Sequence, residues 1–372
     1  MQNSTNPIIA SPNKLKLGSF GLNLVSTPSR APEVWRPTWS KCLEAGRMID
    51  DFGIEAIVPV ARWKGFLDGR FDHPSNEILD AFTFAAAMAQ ATKRAGIFVT
   101  THAPTVHPMF IAKQAATIDE ISGGRLTVNV VGGWNRREFD AFGIELLPHA
   151  ERYVYLGEWL DVIRKLWSAT SEFDFDGKYF HLKGAVSRPQ PLQQPTIPIM
   201  NAGMSETGNR FAAQNADIGF LALSGSEPEE WAAEVRAFKQ LAGDAGREIQ
   251  AWVTTFPTIR DSDEEAQAYY DYISGQTLEW DTVNAMMEMA TKETPIPEGS
   301  PRYNSLRNAI ISGGGMPIIG SPSTVADTLA ALSQAGVDGI IVRFADQIDG
   351  IRRLGTQILP LLERMGLRVP LN

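Results

Sequence analysis

The chain has 372 residues, 44% of them hydrophobic, and is long enough to bury one large core. Its 43 acidic residues against 34 basic ones leave a net charge of −9, which argues against a nucleic-acid partner, because phosphate-backbone binding rests on clustered Lys and Arg. The single cysteine, Cys42, excludes an intrachain disulfide and a cysteine-based metal site and suits a reducing compartment, so a cytoplasmic protein with no bound metal is expected.

Residues 1–14 are rich in Asn, Ser and Pro, lack the apolar run of a signal peptide or membrane helix, and read as a flexible N-terminal arm. No later stretch reaches the roughly 18 consecutive apolar residues that suggest a membrane span. From Leu15 onward, short β-rich runs alternate with helical patterns, the signature of parallel strands joined by helical crossovers. The runs fall at 15–22, 54–60, 97–101, 126–131, 197–202, 218–223, 250–256 and 339–344, with a helical stretch after each. Such a pattern predicts a single (β/α)8 TIM barrel over residues 15–372 rather than an open doubly wound sheet. Two insertions interrupt it. Residues 172–191 alternate apolar and polar around Asp176-Gly177, a hairpin signal. Residues 261–316 look helical, then turn rich in Pro, Gly and Ser, and read as a lid over the barrel mouth.

In such a barrel the active site lies at the C-terminal ends of the strands. Asn129 interrupts the apolar run at 126–131; it is either a satisfied core amide or an amide that bonds a ligand ring. Ser205 follows Gly203 at a strand end and precedes a helix, where it caps the helix and the free N–H groups form an anion site, or serves turn geometry alone. Arg152 and Tyr153 open another helix and offer a phosphate contact or a solvated surface pair. His102 is placed to act as an acid or base or to pack a loop, and Trp63 and Trp134 to wall a small pocket or to pack loops. His107 and His149 precede helices and read as structural, and residues 312–315 (SGGG) as a hinge or a linker.

In this order, the segments resemble the bacterial-luciferase-like flavin monooxygenases. The resemblance spans nearly the whole chain and is carried above all by residues 112–134 (AKQAATIDEISGGRLTVNVVGGW), with 149–153 (HAERY), 202–205 (AGMS) and 319–326 (IGSPSTVA). The tail at 342–351 (VRFADQIDGI) is similar to the branch that holds the pyrimidine oxygenase, beside the dimethyl-sulfone and alkanesulfonate monooxygenases. The resemblance implies reduced FMN as a dissociable co-substrate beside dioxygen, an NAD(P)H:flavin reductase that supplies it, a small-molecule substrate, and a homodimer or homotetramer. It assigns Ala61 and Arg62 to run their backbone along the isoalloxazine ring, and Asn129 to bond the ring or the oxygen adduct. Glu138 lines the same cavity, Arg152, Tyr153 and Ser205 hold the phosphate, and Thr100 helps place dioxygen. One departure bears on substrate: the alkanesulfonate branch has an arginine before a glycine pair in the late loop, where this chain has Ser312. A neutral polar substrate, a cyclic amide or a sulfone, is therefore expected, with a sulfonate as the alternative if one of the strand-end cations Arg62, Lys64, Arg136, Arg137 or Arg343 takes over the anion. A deazaflavin-dependent oxidoreductase and a non-catalytic flavin-binding protein are the competing classes.

Overall fold

The computed structural model describes residues 6–292 and 295–371. Its strands are β1 (Lys16–Phe20), β2 (Ala56–Val58), β3 (Gly96–His102), β4 (Leu126–Val131), β5 (Phe173–Asp176), β6 (His181–Ala185), β7 (Ile199–Asn201), β8 (Ile218–Leu221), β9 (Gln250–Ile259), β10 (Met316–Gly320) and β11 (Gly339–Val342). Eight of these form a parallel ring, β1-β2-β3-β4-β7-β8-β9-β11, closed where β11 pairs with β1. The expected (β/α)8 TIM barrel is what forms. Side chains of successive residues alternate between the inside of the ring and the helical shell. The inward set includes Ala56, Val58, Phe98, Met200, Ile218, Trp252 and Ile341, all buried. The outward set joins the helices in one larger core that includes the fully buried Trp159 and Trp167.

Helices form where the sequence supplies both periodicity and ends. Helix Pro108–Ser122 starts with a proline, whose missing N–H costs nothing there, and is capped by His107. It stops at Gly123, whose φ of 67° is a left-handed conformation that glycine adopts without strain. The arginine that follows, Arg125, is buried and donates to the carbonyls of Ala89, Thr92, Ala95 and Ser122, tying helix Ala81–Ala91 to the start of β4. The most specific stretch of the sequence is therefore in large part a structural device.

Three expectations are refined. The arm is packed from Asn6 onward: Asn6 donates to Leu126 O (2.8 Å) and Thr127 Oγ1 (3.2 Å), and Ile8 is fully buried inside the ring, closing its floor. An apolar side chain facing an open barrel end has more to gain from burial than from mobility. Residues 1–5 lie outside the described residues. The hairpin is present as antiparallel β5 and β6. The 261–316 stretch is helical, with Asp263–Asp271, Trp280–Lys292 and Pro301–Ile311, and ends in a strand that the sequence reading missed. That strand, β10, pairs with the second half of β9, which runs ten residues and overshoots the ring. Among the described residues no helix is long and apolar enough to cross a membrane.

Candidate active site

The C-terminal ends of β2, β3, β4 and β7, neighbours in the ring, gather most of the residues singled out above. On β3, Phe98 faces inward, so Thr100 and His102 do as well; on β4 the inward partner of Thr100 is Asn129. The hydroxyl of Thr100 donates to Pro59 O at 2.7 Å, beyond the end of β2. Its proton being used, Thr100 can only accept from Asn129, whose Nδ2 stands 3.2 Å away. Asn129 thereby presents its carbonyl oxygen, which is buried and has no partner. A buried unpaired acceptor of this kind is disfavoured unless a ligand meets it.

Glu138 lies on the short helix Arg136–Phe142, which is capped by Asn135. Its Oε1 accepts from the backbone of Trp63 at 3.0 Å, pinning the loop that carries Ala61 and Arg62, and its Oε2 lies 3.3 Å from His102 Nδ1. Burial alone would push this carboxyl up; the His102 contact, the Trp63 N–H and the nearby Arg62 charge outweigh it and hold Glu138 below the usual carboxylate range. The guanidinium of Arg62 stacks 4.4 Å from the Phe66 ring centroid. Burial pulls it down to about 10, against the pull of Glu138.

The second group follows β4 and β7. Ser205 caps helix Glu206–Asn215 by accepting from Gly208 N at 3.0 Å, and lies 3.3 Å from His149 Nε2. The Tyr153 hydroxyl reaches the same turn: a Cβ on Gly203 or Gly208 would lie 2.7 or 2.6 Å from it, and a Cβ on Gly208 would also lie 2.6 Å from the Gly203 backbone, so the close approach of the two segments requires glycine. The helix end offers N–H groups without intrahelical partners beside a phenol, a setting that suits an anion. Arg152 is buried, and its Nη1 donates to Gly133 O at 2.8 Å on the loop leaving β4, so it also props up that loop.

Other candidates have structural places. His107 caps its helix, and Trp63 and Trp134 are exposed, with Trp63 edge-on to Phe142. Ser312 is fully buried and bonded to the Tyr270 hydroxyl at 2.9 Å, within an ordered turn in which Gly313 and Gly314 have positive φ. Arg343, one of the strand-end cations that could take the place of an arginine at Ser312, is buried at the mouth on the far side of the ring, beside Gln347, which the residue-by-residue reading missed; the polar residues that follow the apolar run 339–342 were the available signal.

Comparison with known proteins gives the family of the chain. The family model described as luciferase-like monooxygenase matches residues 15–339. A pyrimidine monooxygenase (RutA) of Bradyrhizobium sp. (strain BTAi1) is 32% identical over 360 residues, covering 93% of this chain and 95% of its own; that of Enterobacter sp. (strain 638) is also 32% identical, covering 94% and 96%. Among solved structures, a riboflavin lyase (RcaE) with modified FMN and riboflavin superposes with a TM-score of 0.85 at 21% identity, covering 96% of this chain and 93% of its own. DmoA from Hyphomicrobium sulfonivorans superposes at 0.81 and 22% identity, covering 95% and 88%, a likeness of fold. The chain thus belongs to the luciferase-like monooxygenase family and is a flavin-dependent monooxygenase.

Proposed function

We propose that this protein is the oxygenase of a two-component system, taking FMN already reduced by an NAD(P)H:flavin reductase and oxygenating a small polar organic molecule. The observation that carries the reading is the Asn129 carbonyl oxygen, buried and unpartnered at the barrel mouth and held in that orientation by Thr100 and Pro59. A reduced flavin ring carries N–H donors that match such an acceptor, and the turn formed by Tyr153, Ser205 and Gly208 matches its phosphate. When bound, reduced FMN supplies the electrons that activate dioxygen, one atom going to substrate and the other to water.

The protein's part is position, dryness and proton placement. Glu138 fixes the loop at Ala61 and Arg62, whose backbone would run along the ring. His102, buried against Glu138, would hold a proton beside it. Thr100 acts through Asn129, because its own hydroxyl proton is committed to Pro59. Arg152 would lend charge to the phosphate site while bracing Gly133. The helical stretch over the mouth would act as the lid, excluding water from the reactive site. It is anchored to the loop after β2 by His73 Nε2 and Glu279 Oε2, 2.7 Å apart. The named relatives suggest a pyrimidine-like cyclic amide as the substrate; a sulfone or a sulfonate fits the same fold.

Mixing the protein with reduced FMN in air, with and without uracil, dimethyl sulfone and a sulfonate panel, tests this. Oxygen uptake with peroxide release, giving way to product when the right substrate is present, is expected. Asn129→Ala is expected to keep the fold, bind flavin and release peroxide in place of product. Absence of any reaction of protein-bound reduced FMN with oxygen, or hydride transfer to a deazaflavin instead, overturns the reading.

A further inference from the structure

We infer that Arg343, assisted by Arg62, binds an acidic group of the substrate, a carboxylate or a sulfonate, on the wall of the barrel mouth opposite Asn129. The inference rests on the flavin reading above and adds the substrate's charge to it. On β11, Gly339 packs against the inward Trp252 and Ile341 belongs to the inner cluster, so Arg343, two residues on, continues the inward face at the mouth. In the ring β11 stands four strands from β4 in either direction, and Arg343 therefore faces Asn129 across the opening. The space between them is where a substrate would lie against a ring held by Asn129.

Arg343 is 5% exposed, yet nothing neutralises it. Its Nη1 donates to Gly313 O, its guanidinium carbon lies 4.6 Å from the Phe20 ring centroid, and its Nη2 is buried with no partner. Among the described residues no carboxylate oxygen comes within 4.0 Å of the side-chain nitrogens of Arg343 or Arg62. Glu138, the carboxylate that bears on Arg62, accepts from the Trp63 backbone through Oε1 and turns Oε2 to within 3.3 Å of His102 Nδ1. Arg62 and Arg343 feel one another as like charges, and burial together with that repulsion pulls Arg343 down to about 9, which still leaves it cationic at neutral pH.

A buried cation with no carboxylate against it, beside a half-buried cation of like charge, is an arrangement that folding alone disfavours. A ligand anion relieves it, and a guanidinium with a free Nη2 suits the paired oxygens of a carboxylate or sulfonate. The surroundings seat the arginine and add polar atoms. Gly21, where a Cβ would lie 2.2 Å from Nη2, lets the guanidinium pack against the backbone there. Gln347, fully buried, donates to Phe20 O at 3.3 Å and leaves its Oε1 unpartnered; the Thr254 hydroxyl, on the inward face beside Ile341, is likewise buried and unpartnered. Ser312, for which a neutral substrate was expected, is turned to Tyr270, and the cation comes from β11 instead.

The test is ligand binding to the FMN-loaded protein, read by flavin absorbance and by calorimetry, with pairs that differ in an acid group: orotate against uracil, and ethanesulfonate against dimethyl sulfone. FMN is titrated first; failure to bind it sinks the flavin reading, whatever the arginines do. Given FMN binding, at least one acid is expected to bind tenfold or more tightly than its neutral partner. The carboxylate and sulfonate pairs tell which head group fits. Arg343→Met is expected to abolish that preference and Arg343→Lys to keep part of it, with FMN affinity within about twofold of wild type in both. If Arg343→Met fails to fold, Arg343→Lys and Arg343→Gln carry the same comparison. The inference is overturned if no acid binds the loaded wild type, if neutral partners bind as well, if the preference survives loss of Arg343, or if FMN affinity falls in step with acid affinity.

Discussion

Single hydrogen bonds decide what the site residues can do. Thr100 spends its proton on Pro59, so Asn129 must turn its NH2 to Thr100 and leave its oxygen for a ligand, an orientation set by three residues on three consecutive segments. Ser205 and Tyr153 divide one task differently. Ser205 Oγ already caps a helix, so Ser205→Ala is expected to lower stability by about 1 kcal/mol as well as to weaken FMN binding. Tyr153→Phe removes only the hydroxyl at the Gly203–Gly208 turn. Each variant should weaken FMN binding by about 1–2 kcal/mol, the worth of a hydrogen bond to a charged group, in a fluorescence-quenching titration. Unchanged affinity in both would move the phosphate elsewhere.

At the scale of elements, the N-terminal segment behaves as part of the barrel rather than as an appendage. Helix Pro7–Ala10 is one turn long and is held by tertiary contacts: Asn6 caps it and bonds β4, and Gln250 Nε2 donates to Ile8 O at 3.1 Å from the start of β9. Ile8→Ala leaves a hole at the floor among Ala56, Phe98, Met200 and Trp252 and is expected to destabilise by about 2–5 kcal/mol in urea unfolding. A loss below about 0.5 kcal/mol, the range of most surface substitutions, would show that the segment detaches in solution. The 261–316 stretch is built on the same principle: Glu279 accepts from the Thr282 hydroxyl at 2.6 Å, meets His73, and lies 3.4 Å from Arg30 Nε.

Across the whole molecule, residues 11–17 and the segment around Arg368 meet beneath the barrel around one buried ion pair, Arg368–Glu55. Arg368 Nη1 lies 2.8 Å from Glu55 Oε2 and donates also to Leu15 O at 3.0 Å, while Glu55 accepts from Ser11, Asn13 and the Leu17 backbone. Arg368→Met leaves a buried carboxylate uncompensated and is expected to cost about 3–5 kcal/mol. Adding Glu55→Gln should recover part of that loss; a double variant as unstable as the sum of the two single ones would show that the charges do not couple. The barrel itself was legible in the sequence, because alternation between β-rich and helical runs is a local property and eight parallel strands admit few closed arrangements. The placement of Asn129, Thr100 and Ser205 at strand ends was legible for the same reason. Other features depend on residues distant in sequence. Arg343 becomes an unpaired cation only because Phe20, Gly21 and Gly313 surround it without a carboxylate. Asn6 and Ile8 are fixed only because the ring has a floor to close. Composition and periodicity set which face of each strand is apolar; only the closed ring decides which polar groups then find partners and which are left for a ligand.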